Sequence, residues 1–202
     1  MQAVFSLFYA GNSDYFSNLL QYDVAIDLGE HFQKQTFRNR CVIATSNGLQ
    51  TLIVPVVREH KKTPMNEVKI NYAEKWQLIH WRAITSAYKN SPYFEHYEHH
   101  FEDVYKNQAE HLWQFNKTIL EKVLHILKIN KEISFSKEYI NSAEIDFRNH
   151  FTKDYLPKYT KPYQQVFNDR FDFQANLSIF DLIFNLGTES KTYLTELTKK
   201  ND

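Results

Sequence analysis

An early alternation of short apolar runs with a capped amphipathic segment limits most strongly what this chain can fold into. The runs 4–9 and 24–28 each predict a buried strand. Between them, Asn12 or Ser13 can cap a helix. The apolar side chains of that helix recur at helical spacing and are Tyr15, Phe16, Leu19 and Leu20. A strand, a helix and a second strand in this order predict a sheet covered by helices.

The next strands are predicted on both sides of an Asn47-Gly48 pair. Residues 40–45 and 49–57 are apolar runs, and Asn and Gly both tolerate the positive φ that a two-residue turn requires. This pattern predicts a β-hairpin. The basic, polar stretch 58–63 follows and is predicted to be a solvated loop, and residues 68–71 predict another strand.

Helical patterns dominate the rest of the chain. Residues 73–88 and 109–128 predict two helices, the first with Ile79 on its apolar stripe. Asn176 or Ser178 predicts the start of another helix, Gly187 predicts its end, and Thr188 or Glu189 predicts the start of a last one. Residues 133–136 predict a strand, whereas 141–162 has no clear pattern. We therefore predict one domain spanning residues 1–202 with an α/β (mixed α+β) fold. It would hold a small mixed sheet with the hairpin, flanking helices and a mostly helical C-terminal half.

Composition narrows the partners. The 24 Lys and Arg residues balance 24 Asp and Glu residues, so no net positive field favours nucleic acid or an anionic bilayer. The single cysteine, Cys41, cannot form an internal disulfide, which favours a reducing, cytoplasmic location. No apolar stretch approaches the roughly 20 residues that cross a membrane, and the start lacks the basic region of a signal peptide. We expect no membrane insertion.

Aromatic residues are abundant, with 13 Tyr, 16 Phe and 3 Trp. Large rings must therefore supply much of the core. Buried Tyr and Trp need partners for their polar atoms, so we expect a core that contains many hydrogen bonds.

The common nucleotide and hydrolase motifs are missing. Four glycines leave no GxGxxG or Walker-type loop, and no GxSxG, HExxH or CxxC occurs. We assign no cofactor. Any phosphate would have to be held by side chains.

The run 31–40 concentrates cations and amides between two predicted strands. If this run is extended, one face carries Lys34, Thr36, Arg38 and Arg40. Arginine binds carboxylate or phosphate through two parallel hydrogen bonds, so this face would suit an anionic substrate. The alternative is an edge strand that charged side chains protect from aggregation.

His80 lies beside Trp81 in a predicted helix that also carries Trp76. Histidine is the usual acid or base near neutral pH, so His80 is a candidate for proton transfer. The alternative is a half-buried histidine that bonds to a backbone carbonyl.

Other candidates receive a structural reading. The spacing of His96, His99 and His100 would place them on one face of a helix. No motif fixes a further ligand, so we assign no metal. Cys41 has no identifiable base partner, and Asp181 is read as a structural carboxylate near a helix start.

Fragments spread along the chain resemble the WbqC-like family, small bacterial proteins associated with surface polysaccharide and O-antigen biosynthesis. The fragments that carry the resemblance are Tyr15-Phe16, Phe32-x-Lys34-x-Thr36-Phe37-x-Asn39-Arg40, Asn47-Gly48, Val54-Pro55-Val56, Trp76-x-x-x-His80-Trp81, Ser91-Pro92-Tyr93-Phe94 and Asn176-Leu177-Ser178-Ile179 with Asp181-Leu182. The resemblance implies lipopolysaccharide precursor chemistry but no particular reaction.

Two hypotheses follow from the polar run and the resemblance. In the first, the chain is a transferase that modifies an anionic small molecule, a nucleotide sugar or acyl donor, by acyl or amide-type transfer. His80 would be catalytic, and the substrate would be bound by Lys34, Arg38, Asn39, Arg40, Tyr15, Trp76 and Trp81. In the second, the chain is a non-catalytic accessory protein with protein partners in a biosynthetic complex. The first hypothesis further predicts that Asn39, Arg40, His80 and Trp81 converge around one pocket.

Overall fold

A parallel sheet of four strands organises the fold, in the spatial order Ile133–Ser136, Asp23–Asp27, Gln2–Phe5 and Ile145–Asp146. The computed structural model describes residues 1–58, 60–152, 154–157 and 159–201. For residues 199–201 it describes the backbone alone. The strands are Gln2–Phe5 (β1), Asp23–Asp27 (β2), Arg40–Thr45 (β3), Gly48–Ile53 (β4), Val56–Val57 (β5), Lys69–Ile70 (β6), Ile133–Ser136 (β7) and Ile145–Asp146 (β8). In register, Ala3 of β1 pairs with Val24 of β2 and with Ile145 of β8.

Six helices accompany the strands in the described part of the chain. They are Ser13–Gln21 (α1), Trp76–Tyr88 (α2), Phe94–Lys106 (α3), Leu112–Ile126 (α4), Ile179–Leu186 (α5) and Ser190–Asn201 (α6). Asn12 caps α1 by accepting a hydrogen bond from the backbone of Tyr15 at 2.8 Å. Ser178 caps α5, and Gly187 ends it at a φ of +56°, where a side chain would be strained. None of the helices among the described residues is long and apolar enough to cross a membrane.

The predicted α/β class is confirmed. The hairpin forms at Asn47-Gly48, with Arg40 of β3 opposite Ile53 of β4. It makes a two-stranded antiparallel sheet of its own, and β5 and β6 make another. Because Pro55 lies between them, the predicted run 49–57 divides into β4 and β5.

Aromatic rings fill the core, as the composition predicts. Tyr9 and Tyr15 are almost fully buried, and both hydroxyls are bonded. The hydroxyl of Tyr15 donates to the Ser6 carbonyl at 2.9 Å. That of Tyr9 lies 2.8 Å from the hydroxyl of Tyr105.

Two buried arginines connect the sheet to the segments around it. Arg38, 2% exposed, donates to both oxygens of Glu30 at 2.9 and 2.6 Å and to the Ser6 hydroxyl at 2.8 Å. Its guanidinium also donates to the backbone oxygen of Arg148 at 3.0 Å. The guanidinium of Arg148 in turn donates to Asp27 at 2.6 Å and to Asp146. Burial raises the pKa of the Glu30 carboxyl, and the hydrogen bonds and charge of Arg38 oppose that rise.

The run 31–40 corrects one prediction. It forms turns rather than a strand until Arg40, and Gln35 has a φ of +61°. The predicted common face is therefore wrong for its four members, Lys34, Thr36, Arg38 and Arg40. The physical reason is the buried pair with Glu30, which draws the Arg38 side chain into the core while Lys34 stays exposed.

The helical region holds two further differences. The helix α3 has no counterpart among the predicted elements, because its histidines and carboxylates hid an apolar face formed by Phe94, Tyr97, Phe101, Val104 and Tyr105. In α2, Ile79 was expected on the apolar stripe but is 56% exposed. His80 occupies the buried face instead, beside Trp76 and Ile84.

Replacing Arg38 by Met is expected to destabilise the protein by about 3 to 5 kcal/mol, because Glu30 would keep its burial and lose its counter-charge. The double variant Arg38→Met, Glu30→Leu should recover most of this loss, since it removes both charges. Urea denaturation measures both effects. The exposed Lys34→Met variant serves as control and should stay within about 0.5 kcal/mol of wild type. A similar small effect for Arg38→Met alone would contradict the role given to this pair.

Candidate functional site

A concave cleft of about 640 Å³ lies between the turn 34–40 and the segment that follows β4. Its described lining residues are Phe32, Lys34, Gln35, Asn39, Arg40, Ile53, Val54, Pro55, Val56, Val57 and Arg58. Three of these carry a positive charge, and none of them is acidic. The cleft is therefore an electropositive cavity with an apolar side.

Backbone contacts fix the turn that carries the polar wall. The carbonyl of Phe37 accepts from the Tyr9 N–H at 2.9 Å, and that of Arg38 accepts from the Asn116 amide at 2.7 Å. Asn39 exchanges two bonds of 2.9 Å with Val54, one through its backbone carbonyl and one through its side-chain amide. The turn is thus bound to the strand β4 side of the cleft and to the core.

The three cations of the lining have no acidic partner in the described part of the chain. No ion pair involves Lys34, Arg40 or Arg58 among these residues. Arg58 instead lies over the Phe32 ring, 5.7 Å from its centroid. Within the same described residues, the Asn39 Oδ1 and Arg40 Nε atoms are buried without a hydrogen-bond partner. Positive charge and hydrogen-bonding capacity are therefore left over at this wall.

Arg38 does not take part in this wall. Its guanidinium is used by Glu30, Ser6 and the backbone of Arg148, so the structure places it in the core rather than at a substrate. The structure shows Arg38 in a buried ion pair with Glu30, and its role in substrate binding stays an untested prediction.

His80 lies in the core beside the cleft, 4% exposed and outside the cleft lining. Its Nδ1 atom is 3.0 Å from the hydroxyl of Tyr9, which also contacts the hydroxyl of Tyr105. Burial lowers the pKa of His80 to about 4, and a hydrogen bond with the backbone of Ile53 opposes this shift. At neutral pH the imidazole is therefore uncharged.

The predicted aromatic binding residues are spread over three places. Tyr15 is 1% exposed and packs in the core against Phe8. Trp76 is also buried and packs against His80 at a centroid distance of 5.1 Å. Trp81 is half-buried and lines a second groove of about 370 Å³, together with Tyr105. None of the three lines the cationic cleft.

The structure brings together only some of the four residues that were predicted to converge, which are Asn39, Arg40, His80 and Trp81. Asn39 and Arg40 share the cleft, whereas Trp81 lines the second groove. The connection from His80 to the cleft runs through Ile53, whose backbone bonds to His80 and whose neighbour across the hairpin is Arg40. Joint action of His80 and Arg40 on one ligand stays a prediction.

The remaining candidates lie elsewhere. The histidines His96, His99 and His100 lie on α3, and no group of three or more side chains among the described residues is arranged to hold a metal ion. Cys41 is buried, and burial raises its thiol pKa to about 12. Asp181 is buried on α5 and accepts a hydrogen bond from the Tyr163 hydroxyl at 2.6 Å.

Sequence reasoning missed two features of this region. Arg58 was assigned to a solvated loop, although it follows β5 directly and lines the cleft. The basic run 58–62 was a visible signal, but the fact that Arg58 shares the cleft with Lys34 depends on tertiary structure. Tyr9 and Tyr105 are 96 residues apart in sequence, so nothing local indicated their contact with each other.

An α/β protein with an electropositive cleft beside a hairpin is the class that fold and site define. A family model described as the WbqC-like protein family matches residues 9–148, which is more than half of the chain. The chain therefore belongs to the WbqC-like protein family, and the matched segment contains the whole cleft lining and His80. The chain is 27% identical over 198 residues to the uncharacterized protein Rv1507c of Mycobacterium tuberculosis. The match covers 81% of this chain and 83% of that protein. No solved structure matches the chain.

The buried His80 predicts a specific loss of stability in acid. Its pKa falls from 6.5 to about 4 on folding, so the unfolded state binds the extra proton between these values. The free energy of unfolding should therefore drop as the pH falls from about 6.5 towards 4. At about 1.4 kcal/mol per pKa unit, the loss is about 3 kcal/mol.

Denaturation of wild type and His80→Gln over pH 4 to 7 measures this effect. The variant should be less stable at pH 7 and should lose about 3 kcal/mol less than wild type on acidification. Parallel stability curves for the two proteins would show that His80 is not held neutral in the core.

Proposed function

We propose that this protein binds a small anionic molecule in the cationic cleft and modifies it as an enzyme of surface-glycan precursor biosynthesis. The observation that carries the binding step is the convergence of Lys34, Arg40 and Arg58 on one concavity, with no acidic partner among the described residues. The biosynthetic setting is part of the proposal and is what the resemblance to the WbqC-like family implies.

Electrostatics support an anionic ligand. Like charges that face one cavity repel each other, and an anion held between them removes that repulsion. Arginine donors form strong paired hydrogen bonds with phosphate or carboxylate, and Arg40 lines the cleft without an ion-pair partner among the described residues. A nucleotide sugar or an activated acyl donor carries such groups.

In the enzymatic proposal, His80 acts as a base rather than an acid. Burial keeps its imidazole neutral, and a neutral imidazole can accept a proton. A hydrogen bond with the backbone of Ile53, which lines the cleft, connects His80 to the cleft from the core side, and its Nδ1 atom lies 3.0 Å from the hydroxyl of Tyr9. The reaction would be an acyl or amide-type transfer in the cytoplasm.

One observation favours the second candidate, a non-catalytic accessory protein. The described lining of the cleft contains no His, Cys, Ser, Asp or Glu, so no common nucleophile of that set faces a bound ligand directly. In this case the cleft would hold a ligand or an anionic group of a partner protein.

Titration calorimetry with pyrophosphate, a nucleotide sugar and acetyl-CoA tests the binding step. We expect at least one of these anions to bind, and Arg40→Gln to weaken the binding about tenfold or more, because a charge-assisted contact is lost. Rising salt should weaken it as well. The matched control is Arg82→Gln, an exposed cation on α2 outside the cleft lining, which should bind as wild type does. Equal losses in both variants would remove the cleft as the site.

Product analysis separates enzyme from accessory protein. If the purified protein converts a bound precursor without help, His80→Gln should reduce kcat by about 100-fold or more and leave the ligand Kd little changed. Binding without any turnover, together with copurification of a biosynthetic partner, would instead favour the accessory role. A DNA oligonucleotide serves as a further anion, and tight binding to it would contradict the small-molecule proposal.

A further inference from the structure

The accessible apolar side of the cationic cleft is aliphatic. Ile53 is 42% exposed and Val57 is 49% exposed, and both line the cleft together with the half-buried Pro55 and Val56. Val54 of the same segment is fully buried and forms the floor rather than the surface. Partly exposed aliphatic side chains beside cations that have no acidic partner among the described residues offer one ligand both an apolar and an ionic contact.

The described lining of the cleft offers no aromatic face to a ligand. Phe32 is the one ring in its described lining, and it is 4% exposed with the Arg58 guanidinium over its face. A nucleobase usually stacks on an aromatic ring and uses polar groups to fix its edge. Here the amide of Asn39 is engaged with Val54, which leaves Gln35 as the accessible carboxamide of the lining.

We infer that the anion bound in this cleft carries an aliphatic chain rather than a nucleobase. This inference rests on the proposed function, since it takes the cleft as the anion site. The phosphate or diphosphate lies against Arg40, Arg58 and Lys34, and the chain lies along Ile53, Pro55 and Val57. The ligand class is an alkyl, prenyl or acyl phosphate, and the chain contributes affinity by covering aliphatic surface that is otherwise exposed.

A series of ligands with one head group isolates the contribution of the chain. Calorimetry on the full chain with pyrophosphate, dimethylallyl diphosphate and geranyl diphosphate should show affinity that rises with chain length. Geranyl diphosphate should bind at least about tenfold more tightly than pyrophosphate. Uridine diphosphate, with the same head group and a base, should bind no more tightly than pyrophosphate.

Two surface variants test where the chain lies. Ile53→Ser and Val57→Ser should each reduce the advantage of geranyl diphosphate over pyrophosphate and leave pyrophosphate binding within about twofold of wild type. Both positions are partly exposed, so the fold should tolerate the changes. The matched control is Leu49→Ser, 58% exposed on the same strand as Ile53 and outside the cleft lining.

The outcomes separate this inference from the proposed function. If pyrophosphate binds and the chain adds nothing, or if uridine diphosphate binds most tightly, the inference is wrong and the anion site remains. If none of the four ligands binds, the inference is wrong, and the proposed function fails as well only when the nucleotide sugar and acetyl-CoA also do not bind. A length-dependent gain that Ile53→Ser reduces and Leu49→Ser preserves supports the inference.

Discussion

The buried pairing of Arg38 with Glu30 holds the parts of this protein in place relative to one another. The guanidinium donates to the Ser6 hydroxyl, just after β1, and to the backbone of Arg148, just after β8. Asp27, at the end of β2, receives the guanidinium of Arg148 and accepts from the backbone N–H groups of Gly29 and Glu30. Three parallel strands therefore end in one network of charges and hydrogen bonds. Because a buried charge without its partner is costly, this network fixes the neighbouring turn.

That turn carries the polar wall of the cleft. The buried arginines and the cations that line the cleft have different roles. The guanidinium group of Arg38 donates to Glu30, and that of Arg148 donates to Asp27 and Asp146, inside the protein. Arg40, two residues after Arg38, lines the cleft and has no ion-pair partner within the described part of the chain. The buried pair thus positions a turn on which other cations remain available for a ligand. The fold and the proposed binding step depend on the same short segment.

A polar contact within an aromatic core joins this segment to the helical half. His80 on α2 meets the hydroxyl of Tyr9, and Tyr9 meets that of Tyr105 on α3. The N–H group of Tyr9 also binds the Phe37 carbonyl in the turn, so one residue contacts both the helices and the cleft wall. Such buried polar groups are stable only when each finds its partner, which limits how α2 and α3 can pack on the turn.

Local patterns in the sequence determined most of the elements. Alternating apolar runs, the cap at Asn12, the Asn47-Gly48 turn and the Ser178 to Gly187 helix signals all act over a few residues, and all are present in the structure. The family resemblance, the single cysteine and the charge balance likewise follow from the sequence, and the resemblance is confirmed by the family match. The cations Lys34 and Arg40 were also found this way, because they cluster in one short run.

Only the tertiary structure decided which of these side chains meet. The local pattern gave Arg38 and Arg40 the same face, yet the pairing of Arg38 with Glu30 turned one inward and left the other at the cleft. Arg58, in a stretch predicted to be a loop, lines the cleft, whereas Trp81 lines a separate groove. Periodicity describes the direction of a side chain along its own element. Which charges become buried depends on partners far away in the sequence. The interactions with these partners offset the cost of burial, and they form only once the chain has folded.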